Sequence, residues 1–418
     1  MRLRTSIVAL LAAAGMLLSG CGGSGGHGDT VELKWWLVTQ QDTAQATLDE
    51  LIDNFEEANP DITISLETRS VDAHKDALRT SAGTDAGPDI FYMWTGPGLG
   101  GEFVQAGVSK DISNYYEQYR WADRFTPTTI EPYTQYGGHH GVPWTQRVQV
   151  IYYNKRLFQQ AGITAEPTTY EELVTAADRL KAAGITPIEF GGSVNWHVMR
   201  LLDNLIETEC GPEKADQLTS RTASWAGEPC VDVAFTELKT WSDSYFNQGF
   251  IGIDNDESSV LFHTGKAAMA LEGDWFTTQI TDGGGNIDEI GIFPFPTGAD
   301  RLYGFSEGMY IGARSAHPNE AARFLDYLTS AEVQRSIGGV FAATSVNKDA
   351  TSTGDVGPIR QRFAELGATS SGFHLNNDQN FPLNVTTEYW RIQNSVLTGS
   401  IAPADAGEAL QAFIDGNA

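Results

Sequence analysis

Apolar positions along the chain keep two alternating rhythms. Val31 to Val38 reads as a buried strand. Leu48, Leu51, Ile52 and Phe55 follow at i, i+3, i+4 and i+7, the spacing of one helical face, and Asn59-Pro60 stops that helix. Ile62, Ile64 and Leu66 then alternate as a second strand does, which completes a βαβ unit. Asp89 to Trp94 reads as a further strand, followed by a Gly- and Thr-rich loop at 95–101.

From Gly141 the chain runs extended through Val142-Pro143-Trp144 and on to Lys155. Thr168 and Glu171 have the spacing of a capping box. Leu173, Ala176, Ala177 and Leu180 give the helix that follows its buried face, and Gly184 ends it. Strands are predicted at Ile185–Phe190, at Ile290–Phe295 across Pro294, and at Met309–Gly312. Helices are predicted over Pro318–Leu328 and from Pro403 through Ala406, Leu410 and Phe413. This alternation predicts an α/β fold, and two Pro-marked extended crossings, near 142–150 and 290–303, suggest two lobes that the chain visits more than once. A cleft between such lobes is a natural ligand site.

Residues 1–21 stand outside this pattern. Arg2 and Arg4 precede an apolar run of 12 residues from Ile7 to Leu18. A spanning helix needs about 20, so the run reads as a signal peptide. It ends Leu18-Ser19-Gly20-Cys21, small residues before a Cys, as in a lipobox that directs a diacylglycerol onto the Cys21 thiol. A Gly-rich tether follows at 22–30. The expected location is extracytoplasmic, held to the cell membrane by this anchor. With Cys21 assigned to lipid, Cys210 and Cys230 remain for one disulfide, two reduced thiols being the alternative.

Charge narrows the functional classes. Lys plus Arg number 27 against 54 Asp plus Glu, a formal charge of −27, which disfavours nucleic acid and basic adsorption to an anionic membrane. No Walker A pattern occurs, so this is not a P-loop ATPase. His139-His140 point to opposite faces of an extended segment, and no metal site is expected. Gly304-Phe305-Ser306-Glu307-Gly308 has the spacing of a nucleophile elbow, but the strand expected at Met309 stands where that motif needs a helix. The five residues are expected to form a cleft loop.

Several segments, taken in order, resemble the bacterial extracellular solute-binding protein family 1, the maltose-binding-protein-like receptors of carbohydrate importers. They are the lipobox, GPDIFYMW, GVPWTQRVQVIYYNKRLFQQAGI, PTTYEELVTAADRLKAAGITPIEFGG, FHTGKAAMALEGDWF, IGIFPFPTG and PNEAARFLDYLTSAEVQ. The resemblance implies a two-lobed, type II periplasmic-binding-protein-like fold with discontinuous lobes joined by hinge strands. Residues 31–145 and 303–352 would form one lobe, 146–302 and 353–418 the other. It implies no catalysis and no cofactor. A monomer would close on a di- or oligosaccharide and dock on the permease subunits of an ABC importer. A secreted carbohydrate-active hydrolase and a receptor for a non-sugar solute are the alternatives.

Sugar rings present C–H faces to aromatic rings and hydroxyl rims to polar groups. Trp94, Trp144, Trp196 and Trp275 stand where strands run into loops or crossings and are expected to meet the ligand, with Trp390 a further candidate. The resemblance also places Trp94, Trp196 and Trp275 at the family's stacking positions. Gln40, Arg147, Asp274 and Glu307 are the expected polar contacts, and Glu272 is as available as Asp274. Trp35 and Trp36 alternate in a strand, so at least one belongs to the core.

Overall fold

The computed structural model describes residues 30–338, 340–341, 345–350 and 357–417. The leader, Cys21 and nearly all of the tether lie outside the described residues. Strand β1 (Val31–Val38), the helix Asp42–Ala58 and β2 (Ile62–Arg69) form the expected βαβ unit, parallel, with Val31 opposite Ile62. β3 (Ile90–Trp94) joins the other side of β1, also in parallel. One face of these strands packs Leu33 and Trp35 against Phe55 and Phe324; the other packs Trp36, Phe91 and Met93 against Phe103 and Tyr310. Trp35 and Trp36 are therefore both core, on opposite faces.

Two long strands carry the chain between this half and the second. β4 (Val142–Asn154) and β8 (Arg301–Ile311) pair antiparallel with each other. The end of β8 bonds to β3 from Glu307 to Ile311, and its beginning to β9 (Gly372–Leu375). The end of β4 bonds to β6 (Ala267–Gly273) and β7 (Ile290–Phe293), and β5 (Thr186–Glu189) lies parallel to β6. Among the described residues all nine strands form one continuous sheet in consequence. The second half buries Leu180, Ile188, Met199, Phe235 and Tyr389 on one face and Val150, Phe262, Phe276 and Phe363 on the other.

Three local expectations change. β7 stops at Phe293, because Pro294 and Pro296 have no N–H to give a ladder, and the second crossing is β8 rather than 290–303. Gly304 to Gly308 is strand within β8, not a cleft loop. A Cβ on Gly304 would stand 2.1 Å from the Arg147 carbonyl, so this glycine lets the two crossing strands approach. The helix Tyr170–Ala182 is capped by Thr169, which accepts from the Glu172 N–H, one residue beyond the predicted Thr168–Glu171 pair.

Cys210 and Cys230 are disulfide-bonded, tying the helix Asn195–Thr219 to the helix Pro229–Ser244. The two halves also meet at their rim. Asp282, ending the helix Phe276–Asp282, accepts from the Thr43 N–H at 3.1 Å and from its hydroxyl at 2.6 Å. No helix among the described residues is long and apolar enough to cross a membrane.

Candidate functional site

Where β3, β4 and β8 run side by side, the Glu307 carboxylate is 4 % exposed and gathers three donors. Tyr92 Oη and Thr145 Oγ1 donate to it, and Arg147 Nε lies 3.0 Å from Oε2. The register explains the meeting: Glu307 stands opposite both Trp94 on β3 and Thr145 on β4. Arg147 also donates through Nη1 to Asp274 Oδ1 at 3.3 Å, and the Asp274 N–H is held by the Val148 carbonyl. Burial opposes the Arg147 charge, but Glu307 and Asp274 outweigh it and keep the guanidinium protonated. A buried charge persists only with such partners. Burial and the Glu307 charge push the Tyr92 phenol far up, so it remains a donor.

A second assembly adjoins the first. Arg200 lies with its guanidinium carbon 4.9 Å from the Trp196 ring centroid and 5.3 Å from that of Trp275. Its Nη1 meets Glu272 Oε2 at 2.6 Å. Trp275 also faces Arg147 at 5.6 Å and Phe305 at 5.4 Å. One cation thus holds two half-buried indoles. A Cβ on Gly273 would fall 1.7 Å from the Trp275 ring, so only glycine leaves the ring its place.

Arg147, Asp274, Trp275 and Glu307 are therefore brought together, with Trp196 joined to them through Arg200 and Trp94 through its neighbour Tyr92, 4.9 Å between centroids. Trp144 is not among them, and this corrects its expected place. The β4–β8 register shifts between Pro143 and Thr145, leaving Trp144 as the extra residue of a bulge, and its ring turns into the first core against Phe341. Gln40 folds back on the Val38 carbonyl, 2.8 Å away. Trp390 lies within the helix Leu383–Leu397, its indole N–H 3.1 Å from Met199 Sδ, flanking the second core. Reasoning from sequence missed Arg200, although it stands one turn after Trp196 on the same helix face. It missed Tyr92 and Thr145 because only the three-strand register reveals them.

The model of the family described as bacterial extracellular solute-binding protein matches residues 40–335. This chain belongs to that family. It is 25% identical over 337 residues to an uncharacterized ABC transporter extracellular-binding protein of Pyrococcus horikoshii, covering 79% of this chain and 74% of that one. It is 23% identical over 420 residues to the multiple sugar-binding protein of Streptococcus mutans, covering 94% of each. The solved structure of a chitin oligosaccharide binding protein superposes with a TM-score of 0.83 at 26% identity, covering 93% of this chain and 99% of that one. The fold is the type II, two-lobed solute-binding architecture.

Behind the tryptophans this solute-binding protein buries a titratable cluster. Glu189, His197 and Glu272 each bring a ligand-type atom within 4.8 Å of the others. The set does not suit a metal. His197 Nδ1 accepts from the Gly191 N–H at 3.0 Å, so its Nε2 carries the proton and faces Glu272 Oε1 at 3.2 Å. Arg200 already occupies Glu272 from the other side. Burial alone would raise the Glu272 carboxyl; Arg200 and His197 outweigh it and bring it down to about 2. Burial, reinforced by the Glu272 charge, pushes Glu189 up to about 8.

A carboxyl raised in the folded state stabilises the fold fully below its unfolded value of 4.5, and that contribution is lost as pH rises through about 8. The melting temperature of Glu189→Gln relative to the parent should therefore climb between pH 5 and pH 9. Parallel melting profiles for the two proteins would show Glu189 to be ionised throughout.

Proposed function

We propose that this chain is the oligosaccharide receptor of an ABC importer and that it performs no catalysis. The observation that carries the reading is Arg200 holding Trp196 and Trp275 beside the Arg147–Glu307–Asp274 network, where the two halves meet. Half-buried indoles suit the C–H faces of sugar rings, and ordered charged groups suit hydroxyls. The sugar-binding names of the Streptococcus mutans relative and of the chitin oligosaccharide receptor support the same class. Ligand binds between lobe 31–145 with 303–352 and lobe 146–302 with 353–418, and β4 and β8 act as the hinge. The monomeric closed form docks on membrane permease subunits. Against a serine hydrolase stands Ser306, which lies within a strand with its N–H and C=O both bound by the Gln379 amide.

The test is thermal unfolding with malto-, xylo- and chito-oligosaccharides. A ligand at a hundred times its Kd should add about 2.7 kcal/mol of stability. A shift with amino acids or peptides and none with sugars would move the protein to another solute class. The same reading includes a lipid anchor at Cys21, outside the described residues. Cys21→Ser should release the protein from the membrane fraction, and retention there would require another anchor.

A further inference from the structure

Two charges at the meeting of the lobes take no part in the networks above. Lys75 belongs to the helix Val71–Ser81 of the first half, and its Nζ lies 5.0 Å from the Trp94 ring centroid. Asp378 lies in the short helix Asn377–Asn380, fixed to the second half where Asn377 bonds to Asp203. The loop after β3 packs directly on this segment: a Cβ on Gly96 would stand 2.1 Å from the Gln379 carbonyl. Lys75 and Asp378 are close enough to act on each other's ionisation, and Asp378 also feels Arg200. Yet among the described residues neither closes a salt bridge. Asp378 is only 9 % exposed. Burial lowers the Lys75 ammonium and raises the Asp378 carboxyl, the mark of charges that have lost water without gaining full replacement.

We propose that Lys75 and Asp378 form a subsite of the cleft, continuous with Trp94, that takes a pair of neighbouring neutral hydroxyls and so selects uncharged sugars. This rests on the oligosaccharide reading and deepens it. A hydroxyl oxygen accepts from the ammonium, and its neighbour's O–H donates to the carboxylate, while the ring's C–H face lies on Trp94. A sugar carboxylate would satisfy Lys75 but meet Asp378. A sugar ammonium would satisfy Asp378 but meet Lys75. Only a group that both donates and accepts satisfies the two together.

The test is titration calorimetry on the mature chain and its Lys75→Gln, Lys75→Met and Asp378→Asn variants. The probes are maltotriose, xylotriose, chitotriose, the cationic glucosamine trimer and the anionic galacturonate trimer. The parent should bind a neutral trisaccharide and neither charged one. Each variant should bind that sugar about tenfold more weakly or worse, the loss of a hydrogen bond to a charged group. Asp378→Asn should gain on the galacturonate trimer relative to the neutral sugar, and Lys75→Gln on the glucosamine trimer. A purely structural role would not move that charge preference, and melting temperatures identify any variant that misfolds. Neutral-sugar affinity within twofold of the parent in all variants, or a parent that prefers a charged trimer, overturns the subsite alone. A parent that binds no trisaccharide overturns the oligosaccharide reading and the subsite with it.

Discussion

Glu307→Ala should cost about 3–5 kcal/mol of folding stability, measured by chemical denaturation, and should weaken ligand binding with it. That is the usual penalty for removing one partner of a buried ion pair. Three strands converge on this carboxylate, and Tyr92, Thr145 and Arg147 all donate to it. Its removal leaves Arg147, 7 % exposed, with Asp274 as its remaining carboxylate at 3.3 Å. Tyr92 and Thr145 lose their acceptor at the same time. Because β4 and β8 are the strands that join the halves, the loss falls on the relative setting of the lobes as well as on the core. A cost below about 1 kcal/mol would show that Arg147 turns fully to Asp274 and that the junction tolerates the change.

The second large effect is expected from a single added methyl. Gly273→Ala places a carbon 1.7 Å from the Trp275 ring, so the ring must leave its site between Arg147 and Arg200. Ligand affinity should fall by about 1–3 kcal/mol, the worth of one large buried apolar face, although no ring atom has been deleted. Trp275→Ala should give a similar loss of affinity. Its fold should largely survive, since the side chain is only half-buried at the edge of its core. Calorimetry and melting of both variants decide the matter. If Trp275→Ala instead cost about 3–5 kcal/mol of stability and left affinity unchanged, the ring would belong to the core.

These residues also show what the sequence made legible. β1, the helix after it and β2 are readable because each buries one face, so their apolar spacing records the fold directly. β8 is not, because Gly304 and Gly308 carry the punctuation of a loop, while Gly304 lets two strands approach and Gly308 leaves room for the Tyr133 ring. Trp144 looked like a cleft residue because it stands on the first crossing between the halves, and one bulge there turns its ring into the first core. Sequence could not rank Glu272 against Asp274. In the structure they divide the work, Glu272 holding Arg200 beneath the indoles and Asp274 holding Arg147. Such pairings join residues more than 70 positions apart and leave no periodic trace. Spacing can suggest Arg200 beside Trp196, but only folding supplies Trp275 on its other side.

The rim contact between Thr43 and Asp282 has a further meaning. The helix Asp42–Ala58 has no side-chain cap of its own at Gln41, and Asp282 supplies the missing acceptor from the opposite half. The proposed separation of the halves would therefore take away the acceptor of that first turn. While the contact holds, the Thr43 N–H is hydrogen-bonded to the carboxylate; when it breaks, water can replace that acceptor. Hydrogen exchange at that one amide is therefore expected to report on the proposed opening, with no label attached and no sugar identified in advance.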